Sequence, residues 1–218
     1  MTVQKLILVF IILSFTHCLP ESRSYRLQHG DILFQDLDCG PLCDAIEAVT
    51  DGAQERDFSH CGLIIKEGDS IAVLEAIGHS VHTTSLRNFL RRSGDTVLMK
   101  NSLVGRLKKI EPSVLNKALE LAKGEIGKPY DDSFYPNNGA WYCSELIAWS
   151  FNQASGRDIF PAHPMTFRNP KNGEFYEVWK KYYDSLKTTI PEGLPGYNPG
   201  AMSRSEEIFL FKVENPLH

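Results

Sequence analysis

Apolar and polar positions along this chain fall into short alternating segments first and longer helical stripes later. GDILFQ (30–35) puts Ile32 and Phe34 on one face and reads as a strand. LCDAIEAV (42–49) carries helical spacing and stops near Thr50-Asp51-Gly52. SHCGLII (59–65) and SIAVLEAI (70–77) read as two strands joined by the turn-forming KEGD. A short helix is expected over 84–92 and a further strand at TVLMK (96–100). EPSVLNKALELAKGEIG (111–127) is a helix. Pro112 sits at its start, Val114, Leu115, Ala118, Leu119, Ala122 and Ile126 form the stripe, and Gly127 suits its end. WYCSELIAWSF (141–151) opens a second helix, on which Cys143, Leu146, Ile147, Ser150, Phe151 and Ala154 share a face. Beyond residue 160 the chain is rich in Pro, Gly and aromatics, with one late strand, EEIFLFKV (206–213). The tail segment GLPGYNPGAMS carries no pattern that assigns it a place. Strands early and two main helices later make the fold α+β.

Length and charge narrow the classes. The 218 residues suit one domain with a full core, and 42% hydrophobic with 23% charged residues is ordinary for a globular protein. A net charge of −4 leaves no electrostatic footprint for nucleic acid, and the short basic runs Arg91-Arg92 and Lys108-Lys109 read as solvated surface. Lys5 followed by the apolar run at 6–15 and the polar THCLPESRS has the layout of a secretory signal, read here as residues 1–18. The run is too short for an ordinary spanning helix, and no integral membrane segment remains after its removal. The mature chain, a single domain over 24–218, is therefore expected to be secreted or periplasmic; lipid anchoring through Cys18 is the weaker reading. Of the remaining thiols, Cys39 and Cys43 stand four apart and read equally as a bridge or as two buried thiols. No cysteine/histidine spacing matches a zinc site and no carboxylate loop matches calcium, so neither metal nor cofactor is expected.

The chemistry turns on Cys143. A helix N-terminus carries partial positive charge that stabilises a thiolate. A buried cysteine is also a common core residue, so the helix alone leaves both readings open. A nucleophile needs a base. His163 and His218 lie on a Pro-flanked loop and at the chain end, where nothing holds an imidazole firmly. His60 lies inside a strand, on the face of Phe58, Gly62 and Ile64. Glu75 interrupts the apolar face Ile71, Val73, Ile77 of the next strand, a costly place for an unpaired carboxylate. A four-residue turn at Lys66–Asp69 sets His60 opposite Glu75, and a register shift of two leaves them diagonal on the same face. A carboxylate there orients an imidazole, as in a nucleophile–base–acid triad; the plainer alternative is a His–Glu pair that only ties two strands. His79 and His82 fall past the second strand, on opposite faces of an edge or turn, with no carboxylate on an adjacent strand. Ser144 lacks the elbow motif of a serine nucleophile.

GD-strand, SHCGLII, VLEA, a helix leading into GKPYD, and WYCSEL, in that order from about Gly30 to Phe151, resemble the YiiX/YebB-like cysteine hydrolases. These are the circularly permuted branch of the NlpC-type papain-like superfamily, in which histidine precedes cysteine. The resemblance implies a permuted papain-like fold, an antiparallel sheet or half-barrel packed against helices. Position by position it implies Cys143 as nucleophile, His60 as base, Glu75 as third polar residue and Tyr130 as a substrate-bordering tyrosine. It assigns Asp31 to fixing a strand start. Cys61 departs from the aliphatic residue usual there; it faces away from His60, so the departure is expected to be harmless.

The implied activity is amide hydrolysis through an acyl-enzyme, and the family and compartment together suggest small, cell-wall-type peptides as substrates. A second reading is a thiol acyltransferase or lipid/ester hydrolase similar to the lecithin:retinol acyltransferase group. That group places asparagine before the cysteine and histidine soon after, where this chain has Tyr142 and Ser144-Glu145. A third reading is a non-catalytic binding protein on the same scaffold.

Overall fold

The structure is a computed structural model that describes residues 25–37, 39–49, 51–94 and 101–213. The signal segment and the strand expected at 96–100 lie outside the described residues.

The framework is a six-stranded antiparallel sheet. Its strands are β1 (Ile32–Gln35), β2 (His60–Glu67), β3 (Ser70–Ile77), β4 (Ser80–Ser85), β5 (Ser102–Leu107) and, late in the chain, β8 (Ile208–Phe211). Their spatial order is β4-β3-β2-β1-β5-β8. β1 is central, and all four of its residues are buried. The alternation seen in its sequence is real, yet both faces are covered. Ile32 and Phe34 join one core with Leu63, Leu74, Leu146 and Phe151. Leu33 joins a second core with Ile64, Val73, Phe89 and Leu90.

Helices close each face. On the first lie α3 (Pro112–Gly124) and α4 (Cys143–Ser155), packed on each other and on the sheet through Ala118, Leu119, Ala122, Leu146 and Ile147. α3 is shorter than its sequence stripe suggests, so Ile126 falls beyond its end and is 49% exposed. On the second face lies α2 (Leu86–Arg92), whose first turn is capped by Ser85 accepting from the Asn88 N–H at 3.3 Å. α1 (Pro41–Glu47) is held at its start by a Cys39–Cys43 disulfide, which settles the reading of that pair.

Past residue 160 the chain is more ordered than its Pro/Gly content suggests. It forms the two-residue strands β6 (His163–Pro164) and β7 (Pro195–Gly196), with α5 (Glu177–Leu186) and α6 (Pro199–Ser203). Trp179 and Tyr183 of α5 pack edge-on against Phe167, making a third, aromatic core with Ala45 of α1. Among the described residues no helix is long and apolar enough to cross a membrane.

The β2–β3 hairpin is tighter than the turn expected from KEGD. Glu67 pairs with Ser70, leaving Gly68 and Asp69 as a two-residue turn with Gly68 at φ +59°. The register therefore moves by two, and Glu75 lies diagonal to His60 instead of directly across. Because strand faces repeat every two residues, both stay on one face. Gly62 is required between them: a β-carbon there would lie 2.5 Å from Val73 Cγ1 and 3.2 Å from the Phe89 ring.

Candidate active site

His60 is the first residue of β2 and Cys143 the first of α4, so the two meet at the end of the sheet. Both are buried, 3% and 6% exposed. The His60 Nε2 lies 2.6 Å from Glu75 Oε2, which leaves Nδ1 as the nitrogen available to the Cys143 thiol, with which the imidazole also interacts. The strand face bearing His60 packs on α2, and Phe89 stacks at a tilt 5.7 Å from the imidazole.

The start of α4 is set by the loop before it. Trp141 N–H donates to Pro129 O and Asp131 N–H to Trp141 O, both at 3.1 Å, so the GKPYD segment is stitched to WYC. No side chain of the N-cap residue, Tyr142, closes the helix end. Glu145 instead reaches back to the Tyr142 backbone N–H, half of a capping box, and burial followed by the nearby Asp131 pushes its carboxyl up to about 8. Cys143, the first residue of α4, therefore stands at the helix end where first-turn N–H groups have no intrahelical partner and the dipole is positive.

The electrostatics favour a charged pair. At Cys143 the strongest influence is a hydrogen bond from the Cys61 thiol, which lowers the pKa. Burial opposes it, and the hydrogen bond and charge of His60 and the Cys61 backbone N–H lower it further. The thiol ends well below its ordinary range. Burial alone would lower His60; the Cys143 sulfur and then Glu75 overcome it and raise the imidazole to about 9. Burial would raise Glu75, but His60 and then Arg92 hold it at about 2. The contacts thus favour the thiolate form of Cys143, the protonated form of His60 and the ionised form of Glu75.

Two residues carry more than their sequence context suggested. Arg92, read with Arg91 as solvated surface, donates from Nη2 to Glu75 Oε2 and lies over the Phe89 ring, 5.1 Å from its centroid. The available signal was the i, i+3 spacing that puts Phe89 and Arg92 on one helical face. Cys61 does point away from the face of His60, but that opposite face is the one α4 covers, so its thiol lies against Cys143 and lowers the pKa of that thiol.

The other candidates fall as follows. Tyr130 borders the site: it lines the cavity beside Cys143, and burial and then the Cys143 charge raise its hydroxyl well above the ordinary range. Asp31 accepts from the Gln28 N–H at 2.7 Å and pairs with Arg106, fixing the entry to β1. His79 sits in the turn before β4. His82, on edge strand β4, does have a carboxylate across from it, since its register partner is Glu75. Its Nδ1 nonetheless bonds the Ser80 carbonyl at 3.0 Å, while Glu75 is engaged by His60 and Arg92. Ser144 is buried beside Cys143. His163 is exposed on the cavity rim. Among the described residues no group of three or more His, Cys, Asp or Glu is placed to hold a metal ion.

A cavity of about 660 Å³ opens beside Cys143. Its walls come from α1, the Tyr130–Ser144 region, the segment after α4, Trp179 of α5, and residues between 196 and 207, which take in most of GLPGYNPGAMS (193–203). The tail is therefore a wall of the site.

The chain is similar to Escherichia coli proteins of this architecture. It is 29% identical over 149 residues to the uncharacterized protein YiiX of strain K12, covering 68% of this chain and 69% of that one. The crystal structure of the metalloprotein YiiX from Escherichia coli O157:H7 superposes with a TM-score of 0.70 at 24% identity, over 88% of this chain and all of the other. That likeness supports the fold. The family model for the permuted papain-like amidase enzymes, YaeF/YiiX, C92 family, matches residues 26–208, and the chain belongs to that family.

Proposed function

We propose that this chain hydrolyses an amide bond through a thioester formed on Cys143. The observation that carries the reading is the line of contacts from Cys143, the first residue of α4, to His60 and on to Glu75. The Cys143 thiolate attacks the carbonyl carbon, and the oxyanion is met by backbone N–H groups of the first helical turn. The His60 imidazolium gives its proton to the departing amine as the C–N bond breaks. Now neutral, His60 takes a proton from water, which attacks the thioester carbonyl; the C–S bond breaks, the carboxylic acid product leaves, and the Cys143 thiolate and His60 imidazolium are restored. Glu75 keeps the Nε2 proton of His60 in place, so Nδ1 faces the sulfur. The YiiX of known structure is a metalloprotein; among the described residues of this chain no group of three or more His, Cys, Asp or Glu is placed to hold a metal ion.

The apolar run at 6–15 and the Cys39–Cys43 disulfide support a secreted or periplasmic setting, where such bridges persist. The test of the hydrolase reading is twofold. Iodoacetamide should label Cys143 ahead of Cys61 at neutral pH, and Cys143→Ala should abolish release of amine from amide substrates. Equal labelling of the two thiols, or amine release that survives Cys143→Ala, defeats the reading.

A further inference from the structure

We infer that Cys61 and Cys143 form a reversible modification site, at which a hydroperoxide closes a disulfide between them and takes Cys143 out of action. The inference goes beyond the hydrolase reading and concerns the two thiols whatever bond Cys143 attacks.

The described residues include four cysteines, and the Cys39–Cys43 disulfide uses two of them. The two left as free thiols are Cys61 and Cys143. They lie far apart in the chain and meet because α4 covers the face of β2 that carries Cys61. The Cys61 S–H and the Cys61 backbone N–H both donate to the Cys143 sulfur. The β2–β3 ladder begins only at Leu63–Leu74, which leaves that N–H outside it. Hydrogen-bond contact puts the sulfurs within a side-chain adjustment of the S–S bond length, about 2.05 Å.

Access and charge set the order of events. Cys143 lines the cavity, whereas Cys61 is fully buried and does not line it. An oxidant in the cavity therefore meets Cys143 first. Its contacts hold the Cys143 thiol well below the ordinary range, while burial and then Cys143 push Cys61 well above it. The cavity-facing sulfur is thus the nucleophile, and the buried one keeps its proton.

The Cys143 sulfur attacks one peroxide oxygen. The S–O bond forms, the O–O bond breaks, and the departing oxygen takes the His60 proton, leaving Cys143 as a sulfenic acid. The Cys61 sulfur then attacks the Cys143 sulfur; the S–S bond forms, the S–O bond breaks, and the hydroxide leaves with the Cys61 proton as water. The two sulfurs have lost two electrons, and hydrogen peroxide has become two molecules of water. A dithiol reverses the bridge by thiol–disulfide exchange. Without Cys61 the sulfenic acid has no thiol beside it and passes on to the irreversible sulfinic acid.

The experiment treats the full chain with hydrogen peroxide at neutral pH, blocks the remaining thiols with N-ethylmaleimide, and maps unreduced peptides by mass spectrometry. A linked Cys61–Cys143 peptide is expected, with a loss of iodoacetamide labelling at Cys143 that dithiothreitol restores. In Cys61→Val, Cys143 should instead gather sulfinic acid, and its labelling should stay lost after dithiothreitol. Cys61→Ala repeats the comparison where valine perturbs folding. No linked peptide, a bridge from Cys143 to Cys39 or Cys43, or sulfinic acid forming on the parent chain as fast as on the variants overturns the inference. The map needs no turnover, so failure of the hydrolase reading is seen separately, in the amine-release assay.

Discussion

His60 Nε2 and Glu75 Oε2 lie 2.6 Å apart with neither side chain open to solvent. A buried carboxylate at that distance fixes the tautomer of the ring and stabilises its protonated form, which is the state the leaving amine needs. Glu75→Gln keeps the shape and removes the charge. It is expected to lower kcat/KM for amide hydrolysis by about 10²–10⁴-fold, with the far-UV circular dichroism spectrum unchanged; a loss below tenfold would reduce the pair to a strand tie.

Arg92 engages the same carboxylate from α2. Arg92→Met leaves Glu75 with one partner fewer and should cost about 1–3 kcal/mol of stability, seen as a lower Tm, with Arg92→Lys recovering part. Glu75 is held at about 2. Its stabilising contribution is therefore present above the ordinary carboxylate pKa and is lost as pH falls through the folded value. Removing Arg92 raises that folded value, so acid unfolding should begin at higher pH in Arg92→Met than in the parent chain.

Cys61 is the strongest single influence lowering the Cys143 pKa. In Cys61→Val the S–H donor disappears, the Cys143 thiol pKa rises, and the pH at which iodoacetamide alkylation reaches half its plateau moves upward. Cys61→Ser keeps a donor and should fall between the two. An unmoved profile in Cys61→Val would show that His60 and the helix end suffice.

The alkaline limb follows from His60, raised to about 9. Hydrolysis should hold through neutral pH and decline as pH rises through that value, because the proton needed by the leaving amine is gone; the observed midpoint belongs to the thiol–imidazole pair as a whole. Stability moves in the same direction. The gain from a raised imidazole pKa is complete below the ordinary histidine value and is lost as pH climbs through about 9.

Much of this could be read from residues in order. Period-two strands at Ile32–Gln35, His60–Glu67 and Ser70–Ile77 and the stripe of Cys143–Ser155 emerged from local pattern, because side-chain direction repeats with the backbone. The same parity placed His60 and Glu75 on one face even though the hairpin turn is two residues long and not four. Arg92 and Cys61 could not be placed that way. Which helix covers which sheet face is a long-range matter, and the partner of a side chain on a covered face depends on it.

The chain by itself determined the elements, the shared face of His60 and Glu75, and a cysteine at a helix start, all consequences of local geometry. The tertiary structure decided that α2 brings Arg92 to Glu75 and that α4 sets Cys61 against Cys143. It also turned the Pro- and Gly-rich tail into the wall of an apolar cavity. Those outcomes depend on how separately formed layers pack, and packing is set by the whole core at once.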